Sequence, residues 1–515
     1  MKKLKIKKNK RQEIHPLMTY IIFIIITILL SGFLHLLDIQ GTYYKINEFN
    51  LDLVPQTYIV KSLLSLSGIK YIFTSTVSNF ANFTVLSNLI ILLMGISIMD
   101  KSGFLQTVIT LTTKKLRKKV VTFIFVFICV LSSIFGNLSY LIFIPLGALL
   151  FYYGKRNPAI GIISSFAALS CGSGINVFFT SVDSELLNYT TIAAHTVNVN
   201  YVMHSFPFFL IMLLAMILIS YIITAVTENY IVRILPKYEF TETELEEDIV
   251  TKDEKKGMTY ACVSASIYLI IFIYNIIPGL PFGGNFLDNS QVLYIDKLFS
   301  INSFFSNGFV FIVTILFVIL GLFYGIGVKS IKNHNDFFDN LGHSLDGIGN
   351  MLVMIFLAST FISIFKQSQI GNIIVAGIGN IISKSGFSGL PLIILVFLGV
   401  SISTLFVPST ELKWHILSSS IVPTMIKVEI SPAFAQIIYR FAETSTLNIT
   451  PLLAYFIVYL AFLEKYNQNN RNIKVIDAIK YQISYTVVIG LSLLLVIIIW
   501  YLIGLPLGIK TFPVL

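Results

Sequence analysis

Long apolar segments separated by short polar or basic loops run along almost the whole chain, from about residue 17 to about residue 505. Many of these segments approach the ~20 residues that an α-helix needs to cross a bilayer. The pattern predicts an all-α polytopic membrane protein with about nine transmembrane helices. Composition supports this class, because the 515 residues are 55% hydrophobic and only 12% charged, whereas soluble domains carry roughly 25% charged residues.

Four of the apolar segments are interrupted near their middle by small polar residues. The first half is interrupted at residues 136–139 and 171–176, and the second half at residues 408–411 and 443–448. Non-helical backbone inside a bilayer is tolerated only where it lines a cavity within the protein. Paired interruptions at corresponding places in two halves are typical of the binding site of a secondary transporter. We therefore predict that the four interruptions build one shared polar pocket.

Basic loops mark the cytoplasmic ends of membrane spans and predict the topology. A basic tail, residues 1–16, precedes the first span and places the N-terminus in the cytoplasm. Residues 120–154 have basic residues near both ends, which predicts a re-entrant hairpin, and residues 158–188 then cross as a broken span. A second hairpin at 389–425 and a second broken span at 432–463 enter from the opposite side. The two halves are thus predicted to form an inverted repeat.

An acidic segment, residues 239–256, divides the chain into halves 17–238 and 257–515 and is predicted to be a cytoplasmic linker. The net charge of +10 does not indicate nucleic-acid binding, because the Lys and Arg residues occupy short loops between spans. Three cysteines in apolar or span-edge sequence predict neither a disulfide framework nor a metal site. No cleavage site follows the first apolar segment, so we expect a multi-pass protein of the inner membrane.

Ionisable residues at membrane depth are costly and therefore candidates for function. Asp183 follows the second interruption, and it is either a cation-coupling carboxylate or a helix cap at the outer interface. Arg440 and Glu443 stand three positions apart beside the fourth interruption, so they share one helix face. They either pair with each other or serve transport, in which case the planar guanidinium suits a substrate carboxylate and Glu443 couples the cation.

Further candidates surround the third interruption. Glu411, with Lys413 two residues later, faces either an aqueous basin or the substrate. Trp414 is either an anchor at the membrane interface or a stacking surface for an aryl ligand. Other polar residues of the interruptions offer oxygen ligands suited to a substrate carboxylate or to a sodium ion at the hairpin tips. These residues are Asn137, Ser139, Asn176, Ser409, Thr410, Thr446 and Asn448.

Short motifs along most of the chain resemble those of the AbgT family, the p-aminobenzoyl-glutamate transporters. The resemblance rests on residues 77–80, 100–103, 144–146, 161–183, 413–414, 432, 439–440 and 450–451. It implies a homodimer in which each protomer has nine spans, two hairpins and an inward basin. It also implies transport roles for Asn176, Asp183, Trp414, Pro432 and Arg440.

The chain departs from the family pattern at three positions. Glu443 stands where the family usually has Asp, Thr404 stands where it has Asn, and Asn137 stands where it has an acidic residue. All three positions are candidates for cation coupling, so the departures could change the coupled ion or the substrate. Some family members are similar to efflux pumps that expel sulfonamides, which also carry an aminophenyl group.

We conclude from the sequence that the chain is a secondary active transporter and not an enzyme. The expected cargo is p-aminobenzoyl-glutamate or a related aromatic organic anion, and the expected coupling ion is sodium or a proton, with no cofactor. Proton-driven efflux of sulfonamide-type antimetabolites is the alternative. From other classes, a channel and an intramembrane hydrolase using Ser409 with His415 stay open, while the lack of a Walker A motif disfavours ATP as the direct energy source.

Overall fold

The computed structural model describes residues 16–46, 51–203, 208–240, 250–300, 302–342, 345, 347–468 and 472–515. These residues form a mostly helical protein, which confirms the predicted fold class. Within them, nine helical segments are long and apolar enough to cross a membrane. Most of the basic tail, residues 1–15, and most of the acidic linker, residues 241–249, lie outside the described residues.

The first half contains nine helices. They are α1 Pro16–Leu36, α2 Leu66–Ala81, α3 Thr84–Lys101, α4 Phe104–Thr113, α5 Lys118–Leu131, α6 Ser139–Tyr153, α7 Pro158–Gly172, α8 Ser181–His195 and α9 Phe209–Val226 within the described part of this half. Helix α9 continues through a π-helical turn, Thr227–Ile231, and a last turn, Val232–Ile234.

The second half contains eleven helices among its described residues. They are α10 Lys252–Ile276, α11 Tyr294–Phe299, α12 Phe304–Val328, α13 His334–Gly342, α14 Ile348–Ser368, α15 Ile370–Lys384, α16 Gly389–Phe406, α17 Thr410–Ile426, α18 Pro432–Thr446, α19 Phe456–Lys465 and α20 Val475–Ile503.

The nine candidate spans are not the same nine segments that the loops predict. Helices α5 and α6 together make one 36-residue candidate, Lys118–Tyr153, whereas α7 is too short to count as a span by itself. Helix α2 is also absent from the sequence prediction, because Lys70 and a run of Ser, Thr and Asn residues reduce its hydropathy. Hydropathy therefore predicts the number of candidate spans correctly, but it does not predict correctly which segments form all of them.

The described residues also contain one antiparallel strand pair, which the all-α prediction misses. Strand β1, Gln40–Ile46, pairs with β2, Leu53–Ile59, so that Tyr43 lies opposite Gln56. Aromatic residues hold this pair against the helices, because Tyr43 stacks on Tyr58 at 5.1 Å and meets the ring of His415 in α17 at 5.9 Å. Alternating Tyr, Thr and Val residues favour extended structure at such a half-buried surface.

All four predicted interruptions are present, but the fourth begins at Leu447 and not at Glu443, because α18 continues through Thr446. Between α5 and α6 the chain forms a 3-10 segment in which Gly136 takes a left-handed φ of 58°. Eight residues without helix separate α7 from α8, and three separate α16 from α17. After α18 a short 3-10 turn, Leu447–Ile449, precedes α19. Small polar residues begin the helix that follows two of the interruptions, because their side chains cap free backbone N–H groups, as Thr180 does for α8 and Ser409 for α17.

Helices α7 and α18 form the centre of the molecule. Every residue of α18 from Pro432 to Ser445 is buried, and α7 is buried at Pro158 and throughout residues 160–172. Small residues allow α6 and α7 to approach closely, because a Cβ added to Gly147 would lie 2.9 Å from the carbonyl oxygen of Gly161. Helices α7 and α18 thus hold the interruptions next to each other.

Candidate functional site

One cavity of about 870 Å³ lies among the four interruptions. Its wall includes residues from all of them, which are Gly136, Asn137, Ser139, Ser173, Pro408, Ser409, Thr410, Glu411 and Leu447. Thr180 at the start of α8 and Arg440 of α18 also lie at the wall. The interruptions therefore surround a shared polar pocket, as the sequence predicts.

Arg440 links α18 to the second interruption. Its Nη2 donates a hydrogen bond to the carbonyl oxygen of Ser173 at 3.1 Å. The guanidinium also lies between two carboxylates, with 3.4 Å from Nη2 to Asp183 Oδ1 and 3.6 Å from Nη1 to Glu443 Oε2. Its Nε has no hydrogen-bond partner within the described part of the chain. Arg440 is only 4% exposed, and it forms part of the cavity wall.

A second cation, Lys413, is buried beside Glu443. The distance from Lys413 Nζ to Glu443 Oε1 is 3.0 Å, and the two side chains are 0% and 1% exposed. Lys413 also donates to the carbonyl oxygen of Val407 at 3.2 Å, and the hydroxyl of Thr410 donates to Glu443 Oε1 at 2.6 Å. These bonds connect the third interruption to α18. Asp183, Lys413, Arg440 and Glu443 together form what we call the charge cluster.

The ion pair of Lys413 with Glu443 is not predicted from the sequence. The sequence prediction treats Lys413 differently. It groups Lys413 with Glu411, and the interpretation that both face an aqueous basin is wrong for Lys413, which is fully buried. Glu411 is half-buried at the cavity wall, where it accepts a hydrogen bond from Ser409 at 3.2 Å. The available signal is spacing, because Thr410 and Lys413 are three residues apart in a helix and share one face.

Asp183 is a helix cap, which is one of the two alternatives that the sequence leaves open, while its role in cation coupling stays a prediction. Its Oδ2 accepts hydrogen bonds from the backbone N–H and the hydroxyl of Thr180 at 3.0 and 2.6 Å, which closes the capping box of α8. Its Oδ1 faces Arg440. The helix cap therefore orients the carboxylate, and the remaining oxygen is available to the charge cluster.

The second interruption lies directly against α18. A Cβ added to Gly174 would overlap the hydroxyl oxygen of Thr444 and lie 2.8 Å from the carbonyl oxygen of Arg440. Asn176, two residues later, is 8% exposed and accepts a hydrogen bond from the N–H of Phe178 at 3.0 Å. Only glycine at position 174 permits this approach, because any side chain would push the interruption away from the charge cluster.

Buried polar atoms without a hydrogen-bond partner concentrate in the second interruption and in α18. Of the six such side-chain atoms in the described residues, five belong to the second interruption or to α18. They are Asn176 Nδ2, Gln436 Nε2, Arg440 Nε, Glu443 Oε2 and Thr444 Oγ1. Buried polar groups in native proteins nearly always have partners, so exceptions indicate a ligand, an ion or water. Of these five residues, only Arg440 lines the cavity.

Trp414 lies behind the cavity wall. It is 0% exposed, and its Nε1 donates to the hydroxyl of Thr190 at 2.9 Å. Its indole packs on the ring of Tyr439 at 4.4 Å, and the hydroxyl of Tyr439 donates to the carbonyl oxygen of Thr410 at 2.6 Å. The interface-anchor interpretation is wrong for this buried side chain. Its contact with an aryl ligand stays a prediction, because Trp414 is not among the residues that line the cavity.

Three other predicted residues lie apart from the charge cluster. Thr404 donates to the carbonyl oxygen of Val400 within its own helix at 2.9 Å. Asn448 faces α20, where it accepts from the hydroxyl of Thr486 at 2.7 Å. Pro432 begins α18, where a fixed φ favours helix initiation. Their proposed roles in transport stay predictions.

Comparison with known proteins identifies the family. The sequence model of the AbgT transporters matches residues 6–515. This chain belongs to the AbgT family. The AbgT-family chain is 24% identical over 501 residues to the p-aminobenzoyl-glutamate transport protein of Escherichia coli strain K12, with 97% of this chain and 94% of that protein covered. It is therefore a member of a family of multi-pass membrane transporters.

Two solved structures are similar to this AbgT-family chain. The YdaH transporter of Alcanivorax borkumensis is 23% identical, with a TM-score of 0.48 and coverage of 96% of this chain and 100% of that chain. MtrF of Neisseria gonorrhoeae, which is described with a class of antimetabolite efflux pumps, is 25% identical, with a TM-score of 0.47 and coverage of 98% and 97%.

Proposed function

We propose that this AbgT-family protein is a cation-coupled secondary active transporter of p-aminobenzoyl-glutamate or a related aromatic dicarboxylate. The observation that carries the proposal is the position of Arg440, which lies at the wall of the cavity with its guanidinium shared between Asp183 and Glu443. Guanidinium groups suit carboxylate ligands because their donors form a planar fork. The relative from Escherichia coli, a p-aminobenzoyl-glutamate transport protein, supports the same substrate class.

The cavity supports a cargo of this size and chemistry. Its volume of about 870 Å³ lies within the ~300–1,000 Å³ usual for small-molecule sites. Asn137, Ser409 and Thr410 supply polar groups, while Phe135 and Phe406 supply apolar surface for an aromatic ring. A dicarboxylate joined to an aryl ring would use both kinds of surface.

The charge cluster supports coupling to a cation. Arg440 is shared between Asp183 and Glu443 at 3.4 and 3.6 Å, so neither ion pair has the length of a hydrogen bond. A proton on either carboxylate, or a sodium ion held by Glu443 Oε2 and Thr444 Oγ1, would weaken that pairing and release guanidinium donors for the substrate. Cation and substrate would then strengthen each other's binding, because such coupling is reciprocal.

We also propose how the helices are arranged in the membrane, and we base this on their order along the chain. In the first half, α5 and α6 form a helix pair joined by a short interruption, and α7 and α8 form a second, broken pair. In the second half, α16 with α17 and α18 with α19 follow the same order. This order supports two re-entrant hairpins within an inverted repeat. A homodimer in the inner membrane with a cytoplasmic N-terminus is the arrangement that the family resemblance and the basic loops favour.

Uptake by proteoliposomes tests the proposal. Labelled p-aminobenzoyl-glutamate is offered to reconstituted full-length protein while sodium and proton gradients are imposed separately, and one of the two should drive saturable accumulation. Arg440→Ala should abolish accumulation. Arg440→Lys should raise the KM, because lysine lacks the planar guanidinium that can donate two parallel hydrogen bonds to a carboxylate. Lys480→Ala, which breaks an exposed ion pair with Asp477 at 3.7 Å, is the control and should transport normally.

Two outcomes would reject the proposal. Normal uptake by a folded Arg440→Ala protein would refute the role of the guanidinium. Accumulation of a labelled sulfonamide that is driven by a proton gradient, with no movement of p-aminobenzoyl-glutamate, would instead support proton-driven efflux. Size-exclusion chromatography of each variant shows whether loss of uptake comes from misfolding.

A further inference from the structure

A lysine outside the charge cluster lies at the wall of the cavity. Lys366 belongs to the last turn of α14 and is the one charged residue among the 21 of that helix. Its side chain is exposed and lines the cavity that the four interruptions surround. Charged residues within apolar spans are rare, and they usually face a water-filled cavity that carries a substrate or an ion. Lys366 is therefore a candidate for cargo binding that the sequence prediction does not include.

Polar residues next to Lys366 line the same cavity. Ser363 precedes it by three positions, while Gln369 and Asn372 follow it at the same spacing. Beyond the end of α14, Gln369 takes a left-handed φ of 63°. Its Nε2 donates to the carbonyl oxygen of Lys366 at 3.3 Å, and its Oε1 accepts from Asn372 Nδ2 at 2.8 Å. These bonds fix the turn between α14 and α15, and they involve only the backbone of Lys366.

The turn between α14 and α15 packs directly against the third interruption. A Cβ added to Gly371 would lie 3.0 Å from the carbonyl oxygen of Phe406. The third interruption is in turn bonded to the charge cluster, because the hydroxyl of Thr410 donates to Glu443 Oε1 at 2.6 Å. The wall of the cavity is therefore continuous from this turn to α18.

The two cations in the described part of the cavity wall differ in how their charge is compensated. Arg440 is shared between the carboxylates of Asp183 and Glu443. The ammonium group of Lys366, in contrast, forms no ion pair with any residue that the structure describes. This includes Glu411, the acidic residue that lines the same cavity. Lys366 thus brings a positive charge to the wall that an arriving anion can neutralise.

We propose that Lys366 binds one carboxylate of the cargo while Arg440 binds the other, so that the cavity selects dicarboxylates over monocarboxylates. This inference rests on the proposed function. An ammonium group on a flexible stem is a point charge, which can pair with a carboxylate without the strict geometry of a guanidinium fork. Phe365 and Phe406 also line the wall and offer apolar surface to the aryl ring. A lysine at the C-terminus of a helix also interacts favourably with the helix dipole, so a test has to separate that structural role from cargo binding.

Uptake of three matched cargoes by proteoliposomes makes this separation. The cargoes are p-aminobenzoyl-glutamate and its two monoamides, in each of which one carboxylate is replaced by an amide of nearly the same size. In the wild type, the KM should be lowest for the dicarboxylate. Lys366→Gln should raise that KM about fivefold, which is the upper end for an ion pair that water screens. The maximal rate should stay unchanged, and so should the KM for the monoamide that lacks the carboxylate bound by Lys366.

Two further variants serve as controls. Lys366→Arg keeps the positive charge and should retain the preference for the dicarboxylate. Lys384→Gln removes the same charge from an exposed lysine at the end of α15 that does not line the cavity, and it should transport all three cargoes like the wild type. Size-exclusion chromatography shows whether each variant is folded.

Four results would overturn this inference and leave the proposed function intact. An unchanged KM for the dicarboxylate in Lys366→Gln would show that the lysine does not contact the cargo. An equal rise for all three cargoes would assign Lys366 to helix stability or to general attraction of anions. An equal rise in Lys384→Gln would assign the effect to net charge. A wild type that transports p-aminobenzoyl-glutamate without preferring it to either monoamide would also reject the inference, whereas uptake of none of the three cargoes would reject the proposed function as well.

Discussion

The buried pair Lys413–Glu443 allows a quantitative test of how the charge cluster is assembled. Its charged atoms are 3.0 Å apart, and both side chains are almost completely buried. At an effective dielectric constant of about 20, unit charges at this distance attract each other by about 5–6 kcal/mol. Desolvation of both groups offsets much of that attraction, but removal of one partner leaves a buried charge unpaired, which costs about 3–5 kcal/mol.

The two single substitutions should differ in cost. After Lys413→Met, Glu443 still has the hydroxyl of Thr410 at 2.6 Å and Arg440 at 3.6 Å, so the loss should be near 3 kcal/mol. After Glu443→Gln, Lys413 keeps its charge with a carbonyl oxygen of Val407 at 3.2 Å, and the loss should be nearer 5 kcal/mol. Combining Lys413→Met with Glu443→Gln removes both charges and should cost less than either single change.

Thermal denaturation in detergent, followed by size-exclusion chromatography, measures these differences. With an unfolding entropy of about 2.1 cal/mol/K per residue over 515 residues, a loss of 1 kcal/mol lowers the midpoint by about 1 °C. We expect decreases of about 3 and 5 °C for the single variants and about 1 °C for the double variant. Lys480→Ala removes only the exposed partner of the Asp477–Lys480 ion pair and should change the midpoint by less than about 1 °C. Additive losses in the double variant would refute a direct pairing of Lys413 with Glu443.

Two further predictions concern single positions. Gly174→Ala should reduce uptake strongly, because its Cβ would lie 2.8 Å from the carbonyl oxygen of Arg440, whereas Gly377→Ala, with nothing within 4 Å, should leave uptake unchanged. Hydrogen bonds from Ser290 and Ser300 lower the pKa of Asp288, in the α10–α12 loop, to about 2. Because this folded-state pKa is depressed, the stabilisation is complete above the ordinary pKa and is lost as the pH falls. The difference in heat stability between wild type and Asp288→Asn should therefore shrink between about pH 4 and pH 2.

The interruptions could be predicted because they are local features. Gly136, Pro408 and the neighbouring Ser and Thr residues weaken helical backbone where they cluster in an apolar run. The pairing of Arg440 with Glu443 follows from their helical spacing, and the structure confirms that contact at 3.6 Å. Such features depend on the chemistry of a few neighbouring residues, so sequence alone is sufficient to find them.

Contacts between distant segments could not be predicted in the same way. Lys413 becomes fully buried only because the third interruption approaches α18, which is far along the chain. Trp414 is likewise positioned by Thr190 in α8. The strand pair β1–β2 is missed because its stability depends on packing against α15 and α17, where Asn380 donates to the carbonyl oxygen of Thr42 at 2.8 Å. Sequence identified the polar residues but not the segments that would surround them.

The arrangement of the charge cluster connects the two halves of the molecule. Asp183 belongs to the first half, whereas Lys413, Arg440 and Glu443 belong to the second. With all four groups ionised the cluster is neutral, so an arriving dicarboxylate adds negative charge, which the co-bound cation of the proposed mechanism would compensate. The contact between Asp183 and Arg440 at 3.4 Å is also the one ion pair of the cluster that spans the halves. In the proposed mechanism, a cargo that competes for Arg440 would therefore act on the same contact through which the halves are joined electrostatically, and binding would then be coupled to their relative movement.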